Sequence, residues 1–211
     1  MRIDFVSDIA CPWCAVGLNA LEQALARTAS EIPVDLHFQP FELNPTMGPA
    51  GADAGDYLKN KYGMSDEQLA HNRGVIRERG AAVGFAFGER LRVWNTFDGH
   101  RLLHWTALQG PQQARALKHA LLQAYHGEGR NPSDPSVLKE LAAAVGLDAD
   151  AAAQVLASDA YAAEVRAAQS EWQRAGIQSV PAVVINQRHL ISGGQPPQVF
   201  EDALRRIAAE A

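Results

Sequence analysis

The sequence predicts an α/β fold in which a helical insertion interrupts one sheet-containing domain. Residues 1–44 show the pattern of strand, helix and strand, and residues 176–211 show a hairpin followed by a helix. Residues 45–175, between these two parts, carry helical patterning. A chain of 211 residues buries roughly 70% of its unfolded surface, so neither a metal nor a disulfide is needed to hold its core together.

The first strand leads directly into a pair of cysteines. Ile3 to Ser7 is a short apolar run, too brief for a helix, and predicts a buried strand. The motif Cys11-Pro12-Trp13-Cys14 follows, and leucines then recur at helical spacing. Proline suits the first turn of a helix, because the N–H that it lacks would have no partner there. We therefore expect the first helix to begin at the cysteines.

The second strand is predicted at Pro33 to Phe41. The apolar residues Val34, Leu36 and Phe38 stand there at every second position, which is the spacing of one face of a strand. A strand, helix and strand of this length form a right-handed crossover, which places the two strands side by side and parallel.

Residues 45–175 are expected to form helices joined by short turns. Ser65 and Gln68 form a capping-box pattern, and Gly110-Pro111 is typical of one helix ending and another beginning. Pro45 to Gly55 is rich in proline and glycine and is the candidate for a linker or a mobile rim.

The last part of the chain predicts a hairpin and a closing helix. Ala182 to Ile185 and Leu190 to Ser192 flank the polar Asn186-Gln187-Arg188, and apolar residues recur at helical spacing from Gln198 to Ala208.

Composition argues against several classes of partner. The chain has 19 Lys and Arg against 24 Asp and Glu, a formal net charge of −5, whereas nucleic acids and anionic membranes select for basic surfaces. No apolar run approaches the ~20 residues that cross a bilayer. Two cysteines are too few for a secreted disulfide framework, and no signal segment precedes the first strand. We expect a cytoplasmic protein with neither a nucleic-acid nor a membrane partner.

The two cysteines are the candidate reactive groups. Two thiols separated by two residues at a helix start can close a small disulfide, and the free N–H groups of the first turn favour the first thiol as a thiolate. Cys11 is therefore predicted to attack and Cys14 to resolve the mixed disulfide. The alternative is a pair of buried structural thiols without redox activity.

A metal site is a further alternative. Cys11, Cys14, His100 and His104 would formally complete a Cys2His2 ligand set. The spacing argues against it, because a long stretch of chain separates the two halves where a zinc finger uses about twelve residues. We therefore expect no metal and no organic cofactor.

Pro181 is the second point of interest. A proline after Val180 at the start of a strand would remove a ladder hydrogen bond inside a sheet. It is therefore expected either at a sheet edge or in a special conformation such as a cis peptide bond.

These motifs, taken in order, resemble a known family. They are Ser7-Asp8, Cys11 to Cys14, Gly17, Pro40 to Pro45, Asn95-Thr96, His100 to Leu102, Val180-Pro181 and Ser192 to Gln195. The sequence resembles the DsbA-like thioredoxin-fold oxidoreductases of the FrnE type almost from end to end. The resemblance implies a thioredoxin domain interrupted by a helical insertion.

The resemblance also implies roles for individual residues. Cys11 would be the attacking thiol, Cys14 the resolving thiol and Pro181 a cis-proline that faces them. The main chain of Val180 would pair with a bound peptide, and Pro12 and Trp13 would contact the substrate. Protein disulfides or dithiols, or small thiols such as glutathione, are the expected partners of a monomer or homodimer. Oxidase, reductase and isomerase activities all fit these roles.

Two departures from related proteins leave open questions. Thioredoxin-like enzymes often bury an acidic residue six positions before the first cysteine, and Phe5 stands there, so the proton acceptor for Cys14 is unassigned. Asp8 is nearer to the cysteines, but an Asp at a strand end more often caps a turn. Kappa-class glutathione transferases and hydroxychromene-carboxylate isomerases share the architecture but carry serine in place of Cys11. Their glutathione-dependent chemistry is the alternative function, and a non-catalytic zinc-binding or protein-binding module is the second.

The sequence offers two alternative roles for Asn95, Thr96, His100 and Arg101. They are expected either to line a groove between the two parts of the protein or to cap a helix and form a solvated basic face.

Overall fold

The structure is a computed structural model that describes residues 1–210. Its elements in chain order are β1 (Arg2–Ser7), α1 (Pro12–Thr28), β2 (Asp35–Pro40), β3 (Ala52–Asp53), α2 (Ala54–Tyr62), α3 (Asp66–Ala82), β4 (Arg92–Val93), α4 (Phe97–Gln109), α5 (Pro111–Leu122), α6 (Pro135–Ala144), α7 (Ala149–Leu156), α8 (Ala162–Arg174), β5 (Ala182–Ile185), β6 (His189–Ser192) and α9 (Pro197–Ala209). The order of strands and helices confirms the predicted α/β fold with a helical insertion.

The main sheet has four strands in the order β2, β1, β5, β6. β1 runs parallel to β2, with Phe5 beside Phe38, and antiparallel to β5. All residues of β1 after Arg2 are buried, because neighbouring strands flank it on both edges and helices cover it. The cysteine motif thus emerges from the carboxyl end of a fully enclosed strand.

Two apolar clusters meet at the cysteine motif. One lies between the main sheet and the helices α1 and α9, and it includes Ala15 and Val16. The other lies among α4, α5, α6 and α7, and it includes Ile9 and Ala10. Cys11 therefore lies between residues that are anchored in different clusters, so the packing of both sides determines its position.

A small antiparallel ribbon was not expected from the sequence. β3 pairs with β4 through Ala52 with Val93 and Asp53 with Arg92. Two-residue strands are too short to show an alternating pattern, so only the proline and glycine content of Pro45 to Gly55 is visible in the sequence. The predicted domain boundaries at residues 44/45 and 175/176 stay a prediction.

Several predicted helix ends are present. Ser65 and Gln68 form the complete capping box at the start of α3, and Gly110 separates α4 from α5. Within residues 1–210, no helix is both long and apolar enough to cross a membrane. The cytoplasmic location expected from the sequence stays a prediction.

A close approach between α1 and the strand region gives a test of this packing. A Cβ atom at Gly17 would lie 2.9 Å from Cγ of Pro181, whereas a Cβ at Gly74 of α3 would meet nothing within 4 Å. Gly74→Ala should stabilise the protein by about 1 kcal/mol through helix propensity. Gly17→Ala should lose that gain and destabilise by about 1–3 kcal/mol, because the rigid proline ring cannot move aside. Urea unfolding of both variants measures the difference; a Gly17→Ala variant as stable as Gly74→Ala would contradict the packing.

Candidate active site

Cys11 occupies the N-cap position of α1. Its backbone is extended, and Pro12 takes the first helical position as the sequence predicted. The thiol of Cys11 donates a hydrogen bond to the carbonyl oxygen of Val180, with 3.4 Å between Sγ and O. Only 4% of the Cys11 surface is exposed, so this thiol is less open to bulk solvent than its helix-terminal position suggested.

The two cysteines differ in acidity. The pKa of Cys11 is lowered, chiefly because the Cys14 side chain hydrogen-bonds to its sulfur, with help from the backbone N–H groups of Cys14 and Trp13. The pKa of Cys14 lies well above its ordinary value, because burial and then the neighbouring Cys11 disfavour its thiolate. Cys11 is thus the more acidic thiol of the pair, and Cys14 is the one that burial keeps protonated.

Val180 and Pro181, which directly precede β5, lie beside the cysteines at the start of α1. The peptide bond between them is cis. Val180 brings its carbonyl oxygen to Cys11, and Pro181 is buried against Gly17. The structure therefore brings together the residues predicted at positions 11, 14, 180 and 181.

Asp8 links the cysteine loop to two other parts of the chain. Its Oδ1 accepts from the N–H of Ala10 at 3.0 Å and from Oγ1 of Thr96 at 2.7 Å, and it lies 3.4 Å from Nε2 of His100. Its Oδ2 accepts from the N–H of Leu43 at 2.6 Å. Burial raises the pKa of Asp8, but the interactions with His100 and the two backbone N–H groups outweigh it and keep the pKa below its ordinary value. Asp8 caps the turn and remains a carboxylate.

A cavity of about 690 Å³ opens beside Cys11. Pro12, Trp13 and Val180, the residues predicted to contact substrate, all line it, whereas Cys14 and Pro181 do not. The opposite wall comes from α2 and α3 and from the segment that leads to β4. A molecule in this cavity meets Cys11 first and has no direct access to Cys14.

The chain is similar to known proteins over almost its whole length. The family model of the DSBA-like thioredoxin domain matches residues 2–205. The chain belongs to this family. The crystal structure of the probable DsbA oxidoreductase SCO1869 from Streptomyces coelicolor is similar, with 38% identity and a TM-score of 0.93 over 100% of this chain and 91% of that one.

Two further relatives extend the comparison. The uncharacterized protein YwbO of Bacillus subtilis (strain 168) is 26% identical over 97% of this chain and 96% of its own length. A 2-hydroxychromene-2-carboxylate isomerase shares the fold, with a TM-score of 0.72 over 100% of this chain and 97% of that chain, at 17% identity. The isomerase shows a shared fold alone, whereas membership of the DSBA-like family supports a redox enzyme.

Lys118 is a residue of this DSBA-like site that the sequence did not reveal. It lies on α5, is only 1% exposed and interacts electrostatically with Cys14, Asp8 and Cys11. Glu22 of α1 accepts a hydrogen bond from Nε of Arg115 and lies 2.8 Å from Nε2 of His119, so it connects α1 to the helix that carries Lys118. Burial lowers the pKa of Lys118, and its positive charge favours the thiolate of Cys14. A single lysine on an amphipathic helix gives no sequence signal of such a position.

His126 is a second residue that sequence reasoning missed. It follows α5 in a short π-helix, Gln123–Gly127, and lines the cavity. Its Nε2 lies 2.8 Å from the carbonyl oxygen of Ile9, so this nitrogen carries the proton. Burial and the charge of Arg90 lower the pKa of His126 to about 3. The ring is therefore neutral at physiological pH, and it supports the loop before Cys11.

The residues whose roles sequence reasoning left open do not line the cavity. Asn95 Oδ1 accepts from the N–H of Phe97 and so caps the turn before α4. Thr96 and His100 hold Asp8. Arg101 is buried and donates to Asp98 and to the carbonyl oxygens of Val155, Ser158 and Ala160. Their roles are to support the fold and the Asp8 carboxylate.

The four candidate zinc ligands are not brought together. His100 lies at Asp8, whereas the ring of His104 packs against Tyr161 with 5.3 Å between centroids. Among residues 1–210, no group of three or more His, Cys, Asp and Glu side chains has an arrangement that could hold a metal ion.

The acidity of Cys11 should depend on its partner. Cys14→Ala removes the group that contributes most to the lowered pKa of Cys11. The Cys11 pKa should therefore rise, and a smaller fraction of Cys11 should be thiolate at neutral pH than in the wild type. Cys14→Ser keeps a hydroxyl donor and should shift the pKa less. The rate of alkylation by iodoacetamide against pH measures both, with a several-fold slower reaction expected for Cys14→Ala at neutral pH. Identical profiles for Cys14→Ala and the wild type would contradict the assignment.

The charge on Lys118 should affect the second thiol more than the first. Dithiobis(nitrobenzoate) reports two steps, because Cys11 and then Cys14 each release one coloured thiolate. Lys118→Met should slow the second release several-fold and leave the first little changed, without loss of stability, since burying an ammonium group opposes folding. Lys139→Met, at an exposed lysine paired with Asp150, is the control and should change neither step. An unaffected second step in Lys118→Met would exclude this role.

Proposed function

We propose that this protein is a thiol-disulfide oxidoreductase in which Cys11 attacks and Cys14 resolves. The observation that carries the proposal is the asymmetry of the pair. Cys11 has a lowered pKa and lines the cavity, while Cys14 has a raised pKa and lies behind it, fully buried. This order of access and acidity suits a two-step exchange.

The proposed reaction starts from the reduced pair. The Cys11 thiolate attacks one sulfur of a disulfide, forms a mixed disulfide with it and releases the other sulfur as a thiolate. Cys14 then attacks the sulfur of Cys11, which releases the second substrate sulfur and leaves a disulfide between Cys11 and Cys14. The proton of Cys14 passes to a released substrate thiolate, so one substrate thiolate and one substrate thiol leave. Two electrons pass from the dithiol to the substrate, and the same steps in reverse oxidise a substrate dithiol.

The surrounding residues have distinct parts in this proposal. The carbonyl oxygen of Val180, which holds the thiol of free Cys11, becomes available to the main chain of a bound substrate once Cys11 is deprotonated. Pro12 and Trp13 contact the substrate from the helix start, and Arg79 lies over the Trp13 ring at 5.9 Å. Pro181 packs against α1 and keeps this main chain beside the cysteines.

Lys118 assists the second step of the proposed reaction. Phe5 is fully buried at the position where related folds carry an acid, and Asp8 has its oxygens occupied by hydrogen bonds. Neither is a free proton acceptor. The positive charge of Lys118 instead lowers the cost of forming the Cys14 thiolate.

The direction of the reaction is set by the reduction potential of the pair relative to its surroundings. Equilibration of the protein with mixtures of reduced and oxidised glutathione, followed by alkylation of free thiols, gives this potential. A value near that of thioredoxin would indicate a reductase, and one near that of DsbA, higher by about 150 mV, an oxidase.

The role of each thiol is tested by trapping. Cys14→Ser should accumulate a stable mixed disulfide through Cys11 when it is incubated with a disulfide substrate, while turnover falls by at least about tenfold, since the trapped enzyme awaits an external thiol. Cys11→Ser should form no adduct, because Cys14 is buried. Mass spectrometry of the intact protein measures both.

Two outcomes would contradict the proposal. Full turnover by Cys14→Ser without an adduct would make Cys14 structural and favour the single-thiol, glutathione-dependent chemistry of the isomerase and transferase relatives. Absence of insulin reduction and of exchange with any small disulfide would favour a non-catalytic binding module.

A further inference from the structure

We propose that the cavity beside Cys11 selects small anionic disulfides and thiols over the disulfides of folded proteins. The inference rests on the proposed function, because it names the substrate class of the same cysteine. It follows from two independent properties of the cavity, its enclosure and its charge.

The enclosure comes from α2, α3 and the segment before β4. Tyr57, Leu58 and Ile76 face the cavity from these helices, and Phe87 and Leu91 face it from the segment. The volume of about 690 Å³ lies within the range of about 300–1,000 Å³ that is typical of small-molecule sites.

This shape disfavours a protein disulfide. A disulfide on a folded protein carries main chain on both sides of each half-cystine, and that chain would have to enter the cavity with it. A small disulfide can instead place one sulfur at Cys11 end-on. Since Cys11 is only 4% exposed, its substrate must come into the cavity rather than dock over it.

The charged groups that line the cavity are predominantly basic. The cations are Lys61, Arg73, Arg77 and Arg90, and the anions are Glu42 and Glu89. Glu42 is already neutralised, because it pairs with Arg166 and accepts a hydrogen bond from Gln169. This local excess of positive charge contrasts with the formal net charge of −5 for the whole chain.

Arg73 and Arg77 are the two cations available to a ligand. They lie one turn apart on α3, and within residues 1–210 neither forms a hydrogen bond or an ion pair with another side chain. By contrast, Lys61 donates to Leu43 and Asn44, and Arg90 donates to the carbonyl oxygen of Ala10. Arginine suits the recognition of carboxylates through paired hydrogen bonds. The substrate is therefore a small thiol or disulfide that carries carboxylate groups beside an apolar or peptide-like body.

The experiment measures single-turnover oxidation of the reduced protein by disulfides of different charge and size. Glutathione disulfide is the anionic probe, bis(2-hydroxyethyl) disulfide the neutral probe, cystamine the cationic probe and insulin the protein probe. Acid quenching and mass spectrometry give the rate at each concentration, from which the limiting rate and the half-saturating concentration are obtained. No added reductant is needed, since the two electrons come from Cys11 and Cys14.

The wild type should react more efficiently with glutathione disulfide than with insulin. Arg73→Gln combined with Arg77→Gln should raise the half-saturating concentration of glutathione disulfide roughly tenfold, as expected for two exposed charge contacts, and leave its limiting rate unchanged. Reaction with bis(2-hydroxyethyl) disulfide should be unaffected, and reaction with cystamine unaffected or faster. Arg206→Gln, on the exposed side of α9, is the matched charge control and should behave as the wild type.

Three outcomes separate the possible failures. Unchanged saturation by glutathione disulfide in the double variant would overturn the assignment of Arg73 and Arg77. Preference for insulin in the wild type would overturn the small-substrate class while leaving thiol-disulfide exchange intact. Failure to react with bis(2-hydroxyethyl) disulfide, which needs no charge recognition, would instead refute the proposed function itself.

Discussion

The buried carboxylate of Asp8 is the interaction on which the rest of the site depends. It follows the last residue of β1 and receives hydrogen bonds from the cysteine loop, from Leu43 and from the start of α4. A buried charge is tolerated only when donors surround it, so these three segments must come together for the fold to form. The same carboxylate opposes the Cys11 thiolate through its negative charge. The carboxylate that positions the cysteine loop therefore also raises the pKa of Cys11.

Residues of α1 and α5 offset the unfavourable effect of the Asp8 charge on the Cys11 thiolate. The first turn of α1 directs the N–H groups of Trp13 and Cys14 at the Cys11 sulfur, and the buried Lys118 adds a positive charge near both thiols. The largest single contribution to the Cys11 thiolate is the hydrogen bond from the Cys14 side chain, whereas burial and the neighbouring Cys11 disfavour the thiolate of Cys14. The difference in acidity between the two thiols thus follows from their mutual hydrogen bond and from the deeper burial of Cys14.

The sequence was informative wherever the signal was local. Proline after Cys11 predicted the start of α1, alternation predicted β2, and Ser65 with Gln68 predicted the start of α3, because each depends on neighbouring residues. The position of Lys118 depends on tertiary packing, in which Glu22 contacts Arg115 and His119 far along the chain. No local pattern encodes such contacts. The cavity likewise arises from segments that only the tertiary fold brings together.

The wall of the cavity is less firmly anchored than its reactive side. α3 buries only Leu69 and Gly80, whereas α1 buries more than half of its residues in the core. Segments with little buried apolar surface open at low free-energy cost, so local motion is expected at α3 rather than at α1. Movement of α3 would alter the access to Cys11, whereas Asp8 is held by Ala10, Leu43 and Thr96, all outside α3. Substitutions in the exposed face of α3 can therefore change which molecules enter, while the geometry that sets the acidity of Cys11 stays the same.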